Sequence, residues 1–183
     1  MKRRIPASLV GVTLCVLAAV SVQARSKRAS GPTGGAAVLT LGATAPDIVG
    51  TDLDGRALRL SDYRGKVVVV TFSGEWCGIC RSEYPYHRFL LELYRDWPFA
   101  LLSVESGADR DVARRAKIDR GLLYRSWWDG APRRDAPGTI AAAWGVSGWP
   151  TTYVLDEKGA IRAIDPRKED LLKVVRQLLT GQP

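Results

Sequence analysis

Apolar positions along this chain come as unbroken runs or as spaced repeats. Residues 66–72 and 99–104 are nearly continuous aliphatic runs, the pattern of strands covered on both faces of a sheet. Residues 151–155 and 160–164 flank the turn Asp156-Glu157-Lys158-Gly159 and predict an antiparallel pair. Asp54-Gly55 lies within a predicted hairpin turn at 52–56 that leads into a short strand at 57–60, because Asp-Gly suits positive φ. A strand is also expected at 122–128, closed by Asp129-Gly130.

The spaced repeats predict helices. A helix is expected at 81–96, after the residues that follow Cys77, and Ile79, Phe89, Leu90, Leu93 and Trp97 in and beside it are spaced to suit one buried side, with Pro85 expected to kink it. Further helices are expected at 108–120, at 139–144 ending in Gly145, and at 170–179, with a Pro- and Gly-rich loop at 131–138. A hairpin, strand–helix–strand units, a second hairpin and a closing helix make an α/β chain with a mixed central β-sheet flanked by helices.

The first residues change the picture. Lys2, Arg3 and Arg4 precede a mostly apolar stretch at 5–22, and Val22-Gln23-Ala24 offers a small-residue cleavage site. Residues 1–24 are therefore expected to be a signal peptide, or an N-terminal membrane anchor through 5–22. Residues 25–40, rich in Ser, Gly, Ala and basic side chains, read as a flexible linker, leaving 41–180 as the domain. Export, to the periplasm or another extracytoplasmic space, is the implied destination. Cleavage would remove three cations and take the formal charge from +8 to +5. Lys and Arg are interleaved with Asp and Glu rather than gathered into a stripe, which argues against a nucleic-acid partner.

Of the three cysteines, Cys15 lies in the apolar leader, so the mature chain keeps Cys77 and Cys80. A bridge across three positions closes almost no loop and adds little to stability, so the pair points to chemistry. A strand feeding a loop that places Cys-x-x-Cys at the start of a helix is the arrangement of a redox centre. The helix N-terminus carries partial positive charge and lowers the pKa of a thiolate placed there. One Cys-x-x-Cys is too few ligands for zinc. His87, a lone helical histidine, reads as a surface residue, and Arg81 stands where haem attachment would need histidine. No metal and no cofactor are expected.

Four motifs in this order resemble the thioredoxin superfamily, and within it the exported TlpA/ResA-like, or redoxin-domain, thiol–disulfide oxidoreductases. They are Ala45-Pro46-Asp47 with Leu53-Asp54-Gly55 and 60–66, then Trp76-Cys77-Gly78-Ile79-Cys80-Arg81, then Pro85, then 145–151 with Trp149-Pro150. Together they span nearly the whole domain. The resemblance implies a three-layer thioredoxin-like fold with an N-terminal β-hairpin extension. It implies that Cys77 attacks, that Cys80 resolves the mixed disulfide, and that the two form a disulfide when oxidised. Trp149-Pro150 would be a cis peptide beside Cys77, with Trp76 and Trp149 as an apolar rim. The implied partners are protein thiols or disulfides, apocytochromes and copper-site proteins among them, with an unidentified electron donor that could be membrane-bound.

Two departures stand out. Ile79 replaces the proline common before the second cysteine, and Thr71 stands where thioredoxins bury an aspartate, leaving Glu75 as the nearest carboxylate in sequence. A reductant role is expected. One alternative is a peroxiredoxin-type peroxidase, whose Pro-x-x-x-Thr-x-x-Cys motif would fall on Val70 and Gly74. The other is a redox-inactive binding module on the same fold.

Overall fold

The computed structural model describes residues 39–130, 136–166 and 168–181. The expected signal segment, nearly all of the linker, Cys15 and most of the 131–138 loop lie outside the described residues. Among the described residues no helix is long and apolar enough to cross a membrane.

The hairpin pairs β1 (Val49–Thr51) with β2 (Ala57–Arg59), and a 3-10 turn at Leu60–Tyr63 leads into the main sheet. That sheet has five strands: β3 (Val67–Ser73), β4 (Phe99–Glu105), β5 (Ser126–Trp128), β6 (Thr151–Leu155) and β7 (Ile161–Ile164). Their order is β5-β4-β3-β6-β7, parallel from β3 through β5 and antiparallel at β6 and β7. The expected mixed sheet and hairpin extension are thus both present.

Alternate residues of β3 serve two cores. Val68, Val70 and Phe72 face one side with Trp127, Trp144 and Tyr153, while Val67 and Val69 face the other. The second core receives Tyr84 and Leu90 of α1 (Gly78–Leu93) and Leu171 and Val175 of α4 (Lys168–Thr180). The first receives Ala141 of α3 (Thr139–Ala143). Helix α2 (Arg110–Asp119) starts after Asp109, whose carboxylate accepts from the N–H groups of Asp111 and Val112. Trp127 is fully buried and donates from Nε1 to the Leu58 carbonyl at 2.9 Å, which ties the hairpin to the sheet.

Three expectations need correction. The strand expected at 122–128 is confined to Ser126–Trp128. Helix α1 begins at Gly78 rather than 81, so Cys77 itself is its N-cap. The buried side of α1 is also different: Ile79 is 67% exposed, and Phe89, Leu93 and Trp97 are exposed too, Leu90 alone of the expected set being buried. The buried face instead runs Cys80, Tyr84, His87, Leu90, a spacing of four, three and three. The helix is laid down by its cysteine, and side chains with polar tips fill the inward turns.

Candidate redox site

β3 ends at Ser73, in the middle of the sheet, and the loop through Gly74, Glu75 and Trp76 delivers Cys77 to the start of α1. The Cys77 backbone is extended, with φ −81° and ψ 109°, and its sulfur accepts from the Cys80 N–H at 3.1 Å. This is the side-chain cap of a helix N-terminus made by sulfur. Cys77 and Cys80 form a disulfide with an S–S distance of 2.19 Å. Cys77 is 6% exposed and Cys80 1%, so the first sulfur is the more accessible.

The loop before β6 brings the partner. Trp149–Pro150 is a cis peptide, as expected, and the Trp149 carbonyl oxygen lies 3.7 Å from Cys77 Sγ. The indoles of Trp76 and Trp149 meet edge to face, 5.5 Å between centroids and 69° between planes. Both are half-buried, as is Pro150. Trp76 Nε1 donates to the Ser106 carbonyl at 3.0 Å and Trp149 Nε1 to Ser106 Oγ at 3.2 Å. A segment 72 residues downstream of Cys77 is therefore held against it.

Thr71 is buried beneath the site and accepts from the Thr152 hydroxyl at 3.4 Å. Glu75 is half-buried on the rim, and its backbone carbonyl accepts from Arg81 Nη1 at 2.9 Å. Two other carboxyls lie deeper in the surrounding framework, and sequence reasoning missed both. Glu83 follows Cys80 by three positions on α1, hence on the same face, and burial raises its pKa. Glu105 ends β4 opposite Ser73, fully buried, with its Oε1 accepting from Ser103 Oγ at 2.8 Å and lying 3.9 Å from Lys117 Nζ.

His87 is a correction. It is 3% exposed, not a surface residue. Its Nδ1 is 3.1 Å from the Tyr124 hydroxyl and its Nε2 is 3.9 Å from Glu83 Oε2. Burial, with nearby Lys117 adding to it, lowers its pKa to about 4, so the ring is neutral at pH 7. The signal was available: His87 lies seven positions after Cys80, two helical turns on.

Lys117 sits 3.6 Å from the Tyr124 ring centroid and donates to Ser103 Oγ at 3.3 Å. Burial lowers its pKa to about 8, with Glu105 pulling the other way. Glu105→Leu is expected to cost about 2 kcal/mol at pH 7 in urea unfolding, from the lost Ser103 bond and the orphaned ammonium. The ionic share is limited because Lys117 can shed its proton about one unit below its present pKa, a cost of about 1.4 kcal/mol. The double variant Glu105→Leu/Lys117→Met should recover most of the loss; a double variant no better than the single would refute the pairing.

A groove of about 670 Å³ between the end of α1 and α4, lined by Leu93, Trp97, Leu172 and Arg176 among others, contains none of the site residues. Among the described residues no group of His, Cys, Asp or Glu is assembled to hold a metal ion. What the arrangement can do is exchange disulfides at the helix-capping sulfur, the more exposed of the pair.

A profile of the AhpC/TSA family matches residues 41–164. The chain belongs to that family. Within it, the chain is 36% identical over 126 residues to the thiol-disulfide oxidoreductase ResA of Geobacillus thermodenitrificans, covering 69% of each chain. The thioredoxin domain of a thiol-disulfide oxidoreductase from Bacteroides vulgatus superposes with a TM-score of 0.69 at 26% identity, covering 78% of this chain and 99% of that one. A secreted thiol-disulfide isomerase from Corynebacterium glutamicum superposes with a TM-score of 0.63 at 30% identity, covering 73% and 83%. This AhpC/TSA-family chain is thus a thioredoxin-like enzyme, a thiol–disulfide oxidoreductase.

Proposed function

We propose that the protein is an exported reductant of protein disulfides, with Cys77 as nucleophile and Cys80 as resolving thiol. The observation that carries this is the position of Cys77 Sγ, capping α1 and facing the Trp149 carbonyl at 3.7 Å. In the reduced state the Cys77 thiolate attacks a substrate disulfide, forming a mixed disulfide and releasing one substrate thiolate. The Cys80 thiolate then attacks Cys77 Sγ, releasing the second substrate thiolate and leaving the Cys77–Cys80 disulfide. Two electrons pass to the substrate, and a donor dithiol must restore the pair. Trp76, Trp149 and Pro150 form the face that receives an extended substrate chain, with Glu75 on its rim. Glu83, one helical turn beyond Cys80 and with its pKa raised by burial, is the carboxyl we assign to proton exchange with the thiols.

Export is supported by the basic residues and apolar stretch at 2–22, read as a cleaved signal or an anchor ahead of a linker at 25–40 and the domain at 41–180, and by the secreted relative. The reductant direction rests on resemblance to the exported redoxin proteins, as do the proposed substrates, apocytochrome and copper-site cysteines, and a membrane-bound donor. A peroxidase pocket is disfavoured by packing. Where it would need threonine, even a Cβ on Gly74 would sit 2.6 Å from Trp76 Nε1 and 2.8 Å from the Ser106 carbonyl oxygen. Where it would need proline, Val70 is fully buried in the first core.

The protein is expected to accelerate dithiothreitol-driven reduction of insulin and to leave hydrogen peroxide unconsumed. Peroxide turnover without insulin reduction would establish the peroxidase instead. A reduction potential for the pair near roughly −270 mV supports the reductant, and one near roughly −120 mV would make it an oxidant.

A further inference from the structure

Both tryptophans beside Cys77 are held by one residue that itself touches neither sulfur. Ser106 follows β4 directly, is fully inaccessible, and donates its N–H to the Ser73 carbonyl at 2.8 Å. It is thereby locked to the residue that ends β3, four positions before Cys77. Its carbonyl takes the Trp76 indole N–H and its hydroxyl oxygen takes the Trp149 indole N–H. The Ser106 hydroxyl proton goes to Asp129 Oδ2 at 3.4 Å, which leaves a lone pair turned to Trp149.

Asp129 is in turn fixed. It is buried, and its carboxylate accepts from the N–H groups of Gly138 at 3.0 Å, Ile140 at 2.6 Å and Ala141 at 3.3 Å. These are donors at the start of α3, whose own N-cap, Gly138, has no side chain to offer. Close approach at both ends requires glycine. A Cβ on Gly138 would come within 2.1 Å of the Asp129 carbonyl oxygen, and one on Gly74 would wedge between Trp76 Nε1 and Ser106.

We propose that Ser106, backed by Asp129, is the positioning residue for the substrate-binding face: its hydroxyl fixes the Trp149 indole, and with it the Trp149–Pro150 segment, at the distance from Cys77 that a polypeptide disulfide requires. This rests on the exchange reaction proposed above. A hydroxyl that merely satisfied its own hydrogen bonds in the interior would affect stability alone. A positioning hydroxyl acts through Trp149 and on polypeptide substrates in particular.

The test is a double-mutant cycle on two disulfides. With a disulfide-linked peptide, Ser106→Ala should raise KM about fivefold, the value of one neutral hydrogen bond, with kcat changed less than about twofold. Trp149→Phe, which keeps an aromatic ring but has no N–H, should do the same, and the double variant should be no worse than either single one. With hydroxyethyl disulfide, too small to span the indole rim, Ser106→Ala should change the rate less than about twofold. Indole N–H exchange in the nitrogen-15-labelled protein reads the contact without turnover, and Trp149 should lose its protection in Ser106→Ala. Multiplying effects in the double variant, an unchanged peptide KM, or an equal loss on both disulfides would overturn the assignment. A wild-type protein that reacts with neither disulfide would overturn the exchange reading beneath it, and a wild-type protein that reacts with both while Ser106→Ala matches it would overturn the Ser106 role alone.

Discussion

Cys80→Ser is expected to stop the reaction at the mixed disulfide, whereas Cys77→Ser is expected to abolish it before any covalent step. The asymmetry follows from placement. Cys77 caps α1 and is the more exposed of the two, so its thiolate is favoured by the helix terminus and is the one a substrate reaches first. Cys80 is nearly inaccessible, one turn into the helix, and can reach a sulfur only when that sulfur is Cys77. Incubated with a peptide disulfide, reduced Cys80→Ser should gain the mass of one peptide thiol and hold it, because the serine hydroxyl does not displace a thiolate. Cys77→Ser should gain nothing. In the insulin assay both should fall to the uncatalysed rate. Mass spectrometry of the two variants decides the roles: adducts of equal yield on Cys80 in Cys77→Ser would remove the assignment.

The sheet and the cysteine loop were legible in the sequence for a physical reason. A strand buried on both faces must be apolar at every position, so the run at 66–72 anticipates β3 at Val67–Ser73 almost residue for residue. The Cys-x-x-Cys spacing and the Trp149-Pro150 dipeptide are local in sequence and could be read directly. Helix α1 was harder, because its inward face is made of Cys80, Tyr84 and His87, while aliphatic Ile79 and Leu93 point to solvent. Lys117 looks like any other cation of the charged helix α2, and only the fold sets it opposite Glu105. Ser106 and Asp129 are illegible from pattern altogether. They leave the ends of two adjacent strands, and the bonds that give them meaning join residues 23, 30 and 43 positions apart.

These failures share a cause that bears on function. Polar residues were assigned to the surface by type, yet Ser73, Glu105, Ser106, Ser126 and Asp129 on or just beyond β3, β4 and β5 are buried, as are His87 of α1 and Lys117 of α2. A disulfide that gains electrons also gains protons, and groups that titrate in that interior change the protein's response to acid.

Stability is expected to fall by about 3 kcal/mol between pH 7 and pH 4 on account of His87 alone, the value of 2.5 pKa units. The sign follows from its direction of shift. Its pKa is lowered from 6.5 to about 4 in the folded chain, by burial first and by Lys117 second. Above pH 6.5 both folded and unfolded chains carry a neutral imidazole and pH has no effect through this group. As pH falls from 6.5 towards 4, the unfolded chain takes up a proton that the folded chain refuses, and folding loses ground. The groups facing His87 do not mimic this. Glu83 has a raised pKa and acts in the opposite sense, Tyr84 and Tyr124 are shifted upward and stay protonated, and Lys117, at about 8, stays charged throughout the window. His87→Gln keeps an amide for the Tyr124 hydroxyl and removes the titration. Urea unfolding midpoints of both proteins between pH 7 and pH 4 should therefore converge as acid is added, the wild type losing its advantage step by step. A stability difference that is constant across those pH values would show that His87 takes up its proton equally in the folded chain, and so is not held neutral by its burial.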